Sequence, residues 1–149
     1  MNIPYLIKIQ RNRWPVLLID KVINLEPGKS SECLKVFTNN EIYFQGHFKD
    51  DPVVPGTILV ESMAQSLLVA FQSAEEYSGL IVNAYNYHEV NFKIALKPGD
   101  KLINKATIKS IKRGIVRGEV RGYVDEKIAC NAIFTIIIPD ILENFQRNK

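Results

Sequence analysis

The chain has little cysteine: Cys33 and Cys130 stand far apart, in no C-x-x-C pair. That leaves no disulfide framework, and the two thiols read as small buried hydrophobes in a reducing compartment. No run of 18 or more apolar residues occurs, so a helix crossing a membrane is not expected. Residues 1–10 hold Ile3, Tyr5, Leu6 and Ile7 but no small-residue cleavage site, so a secretory leader is not expected and the expected location is cytoplasmic. Linkers, low-complexity tracts and internal repeats are also missing, which makes 1–149 one expected domain. Strong charge is lacking as well: the formal net charge is +3 and the basic residues are scattered. The densest run, 105–121, alternates with Ile, Val and Ala, as a strand with one solvated face does. A nucleic-acid footprint needs clustered Lys and Arg with interleaved aromatics, so nucleic acid is not an expected partner. The mild positive balance still suits an acidic one.

What is present is a pattern of strands around one helix. Residues 16–25 read as a strand ending at the turn Glu26-Pro27-Gly28-Lys29, and 31–38 as a second. A loop carrying Pro52, Pro55 and Gly56 follows. From Thr57 to Ala74 the chain has no Pro or Gly and is apolar on nearly every side, which predicts a buried helix. Its one charged residue is Glu61. Strands are then expected at 80–87 and 90–96, interrupted near His88-Glu89, and at 102–111, 115–124 and 128–138. The connections at 112–114 and 125–127 are short enough to force antiparallel neighbours. The expected class is α+β, an antiparallel sheet wrapping one long buried helix. One such sheet leaves an edge or the helix poorly covered, so at least a dimer is expected.

The stretch Phe44-Gln45-Gly46-His47-Phe48, then Pro52, Pro55-Gly56 and Glu61-Ser62-Met63-Ala64-Gln65, carries the chemistry. His47 suits abstraction of a weakly acidic proton, with Phe44 and Phe48 keeping water away. Gly56 sits where the helix begins, and free N–H groups there favour an anion such as a developing oxyanion. Glu61, in apolar surroundings, has its charged form disfavoured and suits protonation of a leaving group. Gln65 lies four residues on, on the same face, where its amide can orient the carboxyl. Each residue also has a plainer reading. A lone histidine beside aromatics is more often a packed loop residue, Glu61 can pair with Arg or Lys, and Gly56 can be a bend.

Taken together, these residues resemble the (3R)-hydroxyacyl-acyl-carrier-protein dehydratases of bacterial fatty-acid synthesis, the FabZ type, with the hotdog fold. The similarity opens at Arg13-Trp14-Pro15-Val16-Leu17-Leu18-Ile19-Asp20-Lys21-Val22, like R-Y-P-F-L-L-V-D-R-V. It is densest across Gly46-His47-Phe48, Pro52 to Gly56 and Glu61 to Gln65, and continues through Pro98-Gly99-Asp100 to Cys130. The resemblance implies His47 and Glu61 as catalytic base and acid, with Gly56, Phe48, Pro55 and Gln65 as oxyanion and substrate contacts. It implies that His47 of one subunit faces Glu61 of the partner subunit, in a dimer or a trimer of dimers. It further implies substrates carried on acyl carrier protein, and neither a metal nor an organic cofactor.

The chain departs from that pattern in several places. Asn40-Glu41-Ile42-Tyr43-Phe44 stands for N-E-P-F-F, Lys49 for the proline of G-H-F-P, and Asn12 for the histidine of P-H-R-Y-P-F. Tyr87-His88-Glu89 stands for I-D-K. These mark a divergent member, one that suits a specialised acyl or polyketide route. Tyr85 and Tyr87 are candidates for an acyl tunnel, although core packing is the commoner role. His88 reads as a surface turn residue, with a second active-site histidine as the alternative. Two other functions share the fold: an acyl-thioester hydrolase, and a binding protein that has lost turnover.

Overall fold

The computed structural model describes residues 3–82 and 85–142. Its elements are α1 (Ile3–Ile9), β1 (Lys21–Glu26), β2 (Ser30–Val36), α2 (Gly56–Gln72), β3 (Tyr85–Phe92), β4 (Lys101–Lys112), β5 (Ile115–Val124) and β6 (Lys127–Ile137). The apolar run after Gly56 has no helix breaker and folds as α2, burying Leu59, Met63, Leu67 and Phe71. Six strands form one sheet in the order β1-β2-β4-β5-β6-β3, every pair antiparallel. The sheet curls around α2, which is the hotdog arrangement the sequence implies. The main core lies between helix and sheet and joins Leu67, Phe71, Leu102, Val116, Val120 and Phe134. No described helix is long and apolar enough to cross a membrane.

Sheet glycines permit the close approach of helix to sheet. A Cβ on Gly118 would stand 2.4 Å from Leu67 Cδ1, so only a residue without a side chain fits under that leucine. The buried polar side chains of α2 are paired. Ser66 Oγ donates to Ser62 O at 2.8 Å, Ser31 Oγ to Ser66 O at 2.6 Å, and Asn104 Nδ2 to Ser62 Oγ at 3.0 Å. Both cysteines are free and buried, as expected.

Three elements differ from expectation. The first strand starts at Lys21 rather than near 16, because the backbone before it is engaged elsewhere. Val16 and Leu17 N–H both donate to Arg13 O, while Leu18 N–H donates to Gln65 Oε1 and Leu18 O accepts from Ser62 Oγ. Second, β3 is a single strand that runs straight through His88-Glu89, whose register partners are Phe134 and Ile133. It stops at Phe92 because Lys93 and Ile94 N–H converge on one acceptor, Ala129 O. Of the expected 80–87 strand, residues 83–84 lie outside the described residues. Third, α1 was not anticipated. Leu6 on this short helix packs into a second core cluster with Ile19, Val22, Cys33 and Val69, and tertiary docking supplies what seven residues cannot supply alone.

Candidate active site

His47 stands on the loop before α2, just after a 3-10 turn at Ile42–Gln45. That turn is held by Lys35, a buried lysine whose Nζ lies 2.8 Å from Glu41 Oε1 and 3.5 Å from Asp20 Oδ1. Asp20 also accepts from Val36 N–H at 2.6 Å, which ties the entry of β1 to the end of β2. Nothing in the sequence pattern singled out this cluster, because a lysine inside an alternating strand reads as solvated.

Val53 clamps His47 twice. Val53 N–H donates to His47 O at 2.9 Å, and the His47 ring nitrogen Nδ1 lies 2.8 Å from Val53 O. A carbonyl oxygen only accepts, so Nδ1 carries the hydrogen and, in the neutral ring, Nε2 carries the lone pair. Phe48 stacks on the imidazole with ring centroids 4.1 Å apart, while its outer face is exposed. The ring is therefore fixed in place, with the Val53 carbonyl on Nδ1 and Phe48 against one face.

The same loop leads through Val54, whose N–H donates to Leu96 O, to Pro55, the N-cap of α2. Helix geometry leaves the N–H groups of Gly56 and Thr57 without an intrahelical acceptor. Gly56 leaves room here for a neighbouring ring. A Cβ on it would stand 3.1 Å from the Phe92 ring of β3, so a larger residue would push that ring aside. His47, Pro55, Gly56, Thr57, Val60, His88, Val90 and Phe92 line one cleft of about 640 Å³.

His88 is thus not a turn residue. Alternation along β3 puts His88, Val90 and Phe92 on one face, towards the cleft, and Tyr87 on the other. Tyr87 is exposed and its hydroxyl donates to Glu89 at 3.3 Å, so it serves neither core nor cleft. The side chain of Tyr85 lies outside the described residues. Thr57, Val60, Val90 and Phe92 escaped the sequence reading; the period of two through 88–92 was the signal that locates the last two.

Glu61, one turn along α2 from Thr57, is not among the residues lining this cleft. It is half-buried rather than enclosed by apolar groups, and its neighbours are amides. Gln65 Nε2 donates to Glu61 Oε1 at 2.8 Å and Asn12 Nδ2 to the same oxygen at 3.3 Å. Gln65 is itself fully engaged, accepting from Leu18 N–H at 2.8 Å and donating to Val16 O at 2.7 Å.

Several known proteins are similar to this chain. The FabA-like domain model matches residues 11–133. The 3-hydroxyacyl-[acyl-carrier-protein] dehydratase FabZ of Caldanaerobacter subterraneus subsp. tengcongensis is 38% identical over 89% of this chain and 94% of its own. The protein of the same name from Chloroflexus aggregans is 34% identical over 94% of this chain and 97% of its own. Among solved structures, the dehydratase heterocomplex ApeI:P from Xenorhabdus doucetiae superposes with a TM-score of 0.77 over 97% of both chains, at 15% identity. A hypothetical thioesterase with coenzyme A from Streptococcus pneumoniae TIGR4 superposes with a TM-score of 0.61 at 16% identity, over 79% of this chain and 84% of that one. At such identities the superpositions establish the fold alone, whereas the sequence matches reach further. The chain belongs to the FabA-like domain family and, within it, to the FabZ-type dehydratases.

Proposed function

We propose that this chain removes water from (3R)-3-hydroxyacyl thioesters carried on acyl carrier protein, giving trans-2-enoyl thioesters, with His47 as base and Glu61 of the partner subunit as acid. The family membership makes it a lyase of fatty-acid synthesis. The single observation that carries the mechanism is the Val53 clamp: with Nδ1 bonded to Val53 O, Nε2 of the neutral ring is the nitrogen left to accept a proton.

In the reaction, His47 Nε2 takes the proton from C2 of the acyl chain. The electron pair of that C–H bond forms the C2–C3 double bond as the C3–O bond breaks. The departing hydroxyl takes a proton from Glu61 of the partner subunit and leaves as water. Negative charge that gathers on the thioester oxygen meets the N–H groups at the start of α2, where Gly56 allows close approach. The enzyme is left with one proton gained at His47 and one lost at Glu61, and their exchange through solvent restores it. Phe48 shields the imidazole, Pro55 shapes the helix entry, and Gln65 holds the acid.

The two residues' different surroundings support the reading of a shared site. The His47 cleft opens beside β3, an edge strand with exposed Tyr87 and Phe92, and Glu61 is not among the residues that line it. An uncovered edge with apolar side chains suits pairing with a second copy. Dimers, further assembled as a trimer of dimers, bring the two halves together in the cytoplasm.

The test is incubation with 3-hydroxyacyl carrier-protein thioesters of graded chain length, followed by mass spectrometry. Loss of water with the thioester intact is expected. Release of free thiol makes the chain a hydrolase, and a chain inert on all carriers and lengths is a binding protein.

A further inference from the structure

The acid's two oxygens stand in unlike surroundings. Leu18 N–H only donates and Val16 O only accepts, so these two backbone groups fix which way round the Gln65 amide sits. With Oε1 turned to Leu18, Nε2 must spend its second hydrogen on Glu61 Oε1. Asn12 Nδ2 gives that oxygen a second donor. A carboxyl oxygen that accepts two N–H groups has no room for a hydrogen of its own.

Asn12 is also placed with care. The Arg13 guanidinium next to it donates to Asn12 O at 2.9 Å, Gln10 O at 2.6 Å and Ile7 O at 3.0 Å. Those bonds close the end of α1 and fix the corner from which Asn12 reaches Glu61. Gln10 Nε2 docks the same corner on α2 by donating to Gln65 O at 2.6 Å.

We infer that Asn12 is a positioning residue: together with Gln65 it holds Glu61 Oε1 as an acceptor, so that Oε2 carries the proton given to the leaving hydroxyl. This rests on the reading of Glu61 as the acid. The requirement is for a neutral N–H donor at position 12, which asparagine meets here in place of the histidine of the P-H-R-Y-P-F pattern. Without it the carboxyl keeps one fixed oxygen and gains freedom to turn, so fewer encounters present the proton along the C3–O bond.

The test compares Asn12→Ala, Asn12→Asp and Asn12→His with wild type and Glu61→Gln in steady-state dehydration of one 3-hydroxyacyl carrier-protein thioester. Asn12→Ala is expected to lower kcat about tenfold with KM within about twofold, since only presentation of the proton is lost. Asn12→Asp, which keeps the shape and replaces a donor by an acceptor, is expected to fall further. Asn12→His restores a ring N–H donor and is expected to keep at least about half of the wild-type kcat. Urea midpoints check that each variant is folded. If Glu61→Gln is inactive while Asn12→Ala and Asn12→Asp keep wild-type kcat, or if Asn12→His falls as far as Asn12→Asp, the assignment of Asn12 is overturned and the acid stands. If Glu61→Gln retains wild-type activity, the acid itself is wrong.

Discussion

Replacing Gln65 by leucine separates a hydrogen-bonding role from a space-filling one. The side chain is fully buried and makes three bonds, at 2.7, 2.8 and 2.8 Å. Leucine is close in size, so the change is chiefly the loss of those bonds. Leu18 is 4% exposed, and its N–H, stranded without water or acceptor, costs about 1–3 kcal/mol. Val16 is 52% exposed, so water replaces the amide at its carbonyl and the loss there is about 0.5 kcal/mol. Glu61 Oε1 keeps Asn12. The sum is about 1.5–3.5 kcal/mol, which for a chain of this size lowers Tm by roughly 3–14 °C. Urea unfolding at fixed protein concentration measures it, since subunit association otherwise shifts the midpoint. Gln65→Glu keeps an acceptor for Leu18 but sets two acceptors against Val16 O and Glu61, so at pH 7 it is expected to be no more stable than the leucine variant. A Gln65→Leu protein within about 0.5 kcal/mol of wild type refutes the claim that this amide fastens the 10–18 segment to α2.

Three further changes probe the rest of the framework. Gly118→Ala sets a methyl 2.4 Å from Leu67 Cδ1 and 3.0 Å from Thr107 O, and is expected to lose about 1–3 kcal/mol by calorimetry. Lys35→Met leaves Glu41 and Asp20 without their cation and is expected to cost about 2 kcal/mol, with Asp20's exposure limiting the loss, and to loosen the turn before His47 enough to lower kcat. Burial pushes the Cys130 thiol up to about 11 from an ordinary 9.0, against a weaker opposing hydrogen bond from the Gly122 backbone. The folded protein then holds this proton where the unfolded chain releases it, so stability is full below pH 9 and falls by on the order of 2 kcal/mol as pH rises to about 11. Cys130→Ala should remove that part of the alkaline slope in urea titrations, and an unchanged slope refutes the assignment.

Much of the architecture was written in patterns that short-range physics controls. An apolar stretch from 57 onward without a breaker had to be an enclosed helix, and short connections at 112–114 and 125–127 had to give hairpins. What escaped depended on partners far away in sequence. Residues 16–20 carry strand-forming side chains, yet Ser62 and Gln65 take the backbone of Leu18 before any strand can. His88-Glu89 looked like an interruption because two polar residues broke an apolar run, whereas pairing with β6 carries the strand through them. The loop histidine and helix glutamate were conspicuous by their surroundings, but the asparagine donating to that glutamate lies 49 residues away, and its place in the 12–16 motif shows a departure without showing that contact.

The claim that one reaction centre is assembled from two subunits is tested most directly by co-expressing His47→Ala with Glu61→Gln chains. Each variant alone has only broken sites and should be inert. Random pairing makes about half the dimers mixed, and each mixed dimer regains one intact site of two, so about a quarter of wild-type activity should return. A co-expressed pair that dimerises freely yet stays as inactive as either parent contradicts a shared site, as does either single variant that still dehydrates at the wild-type rate.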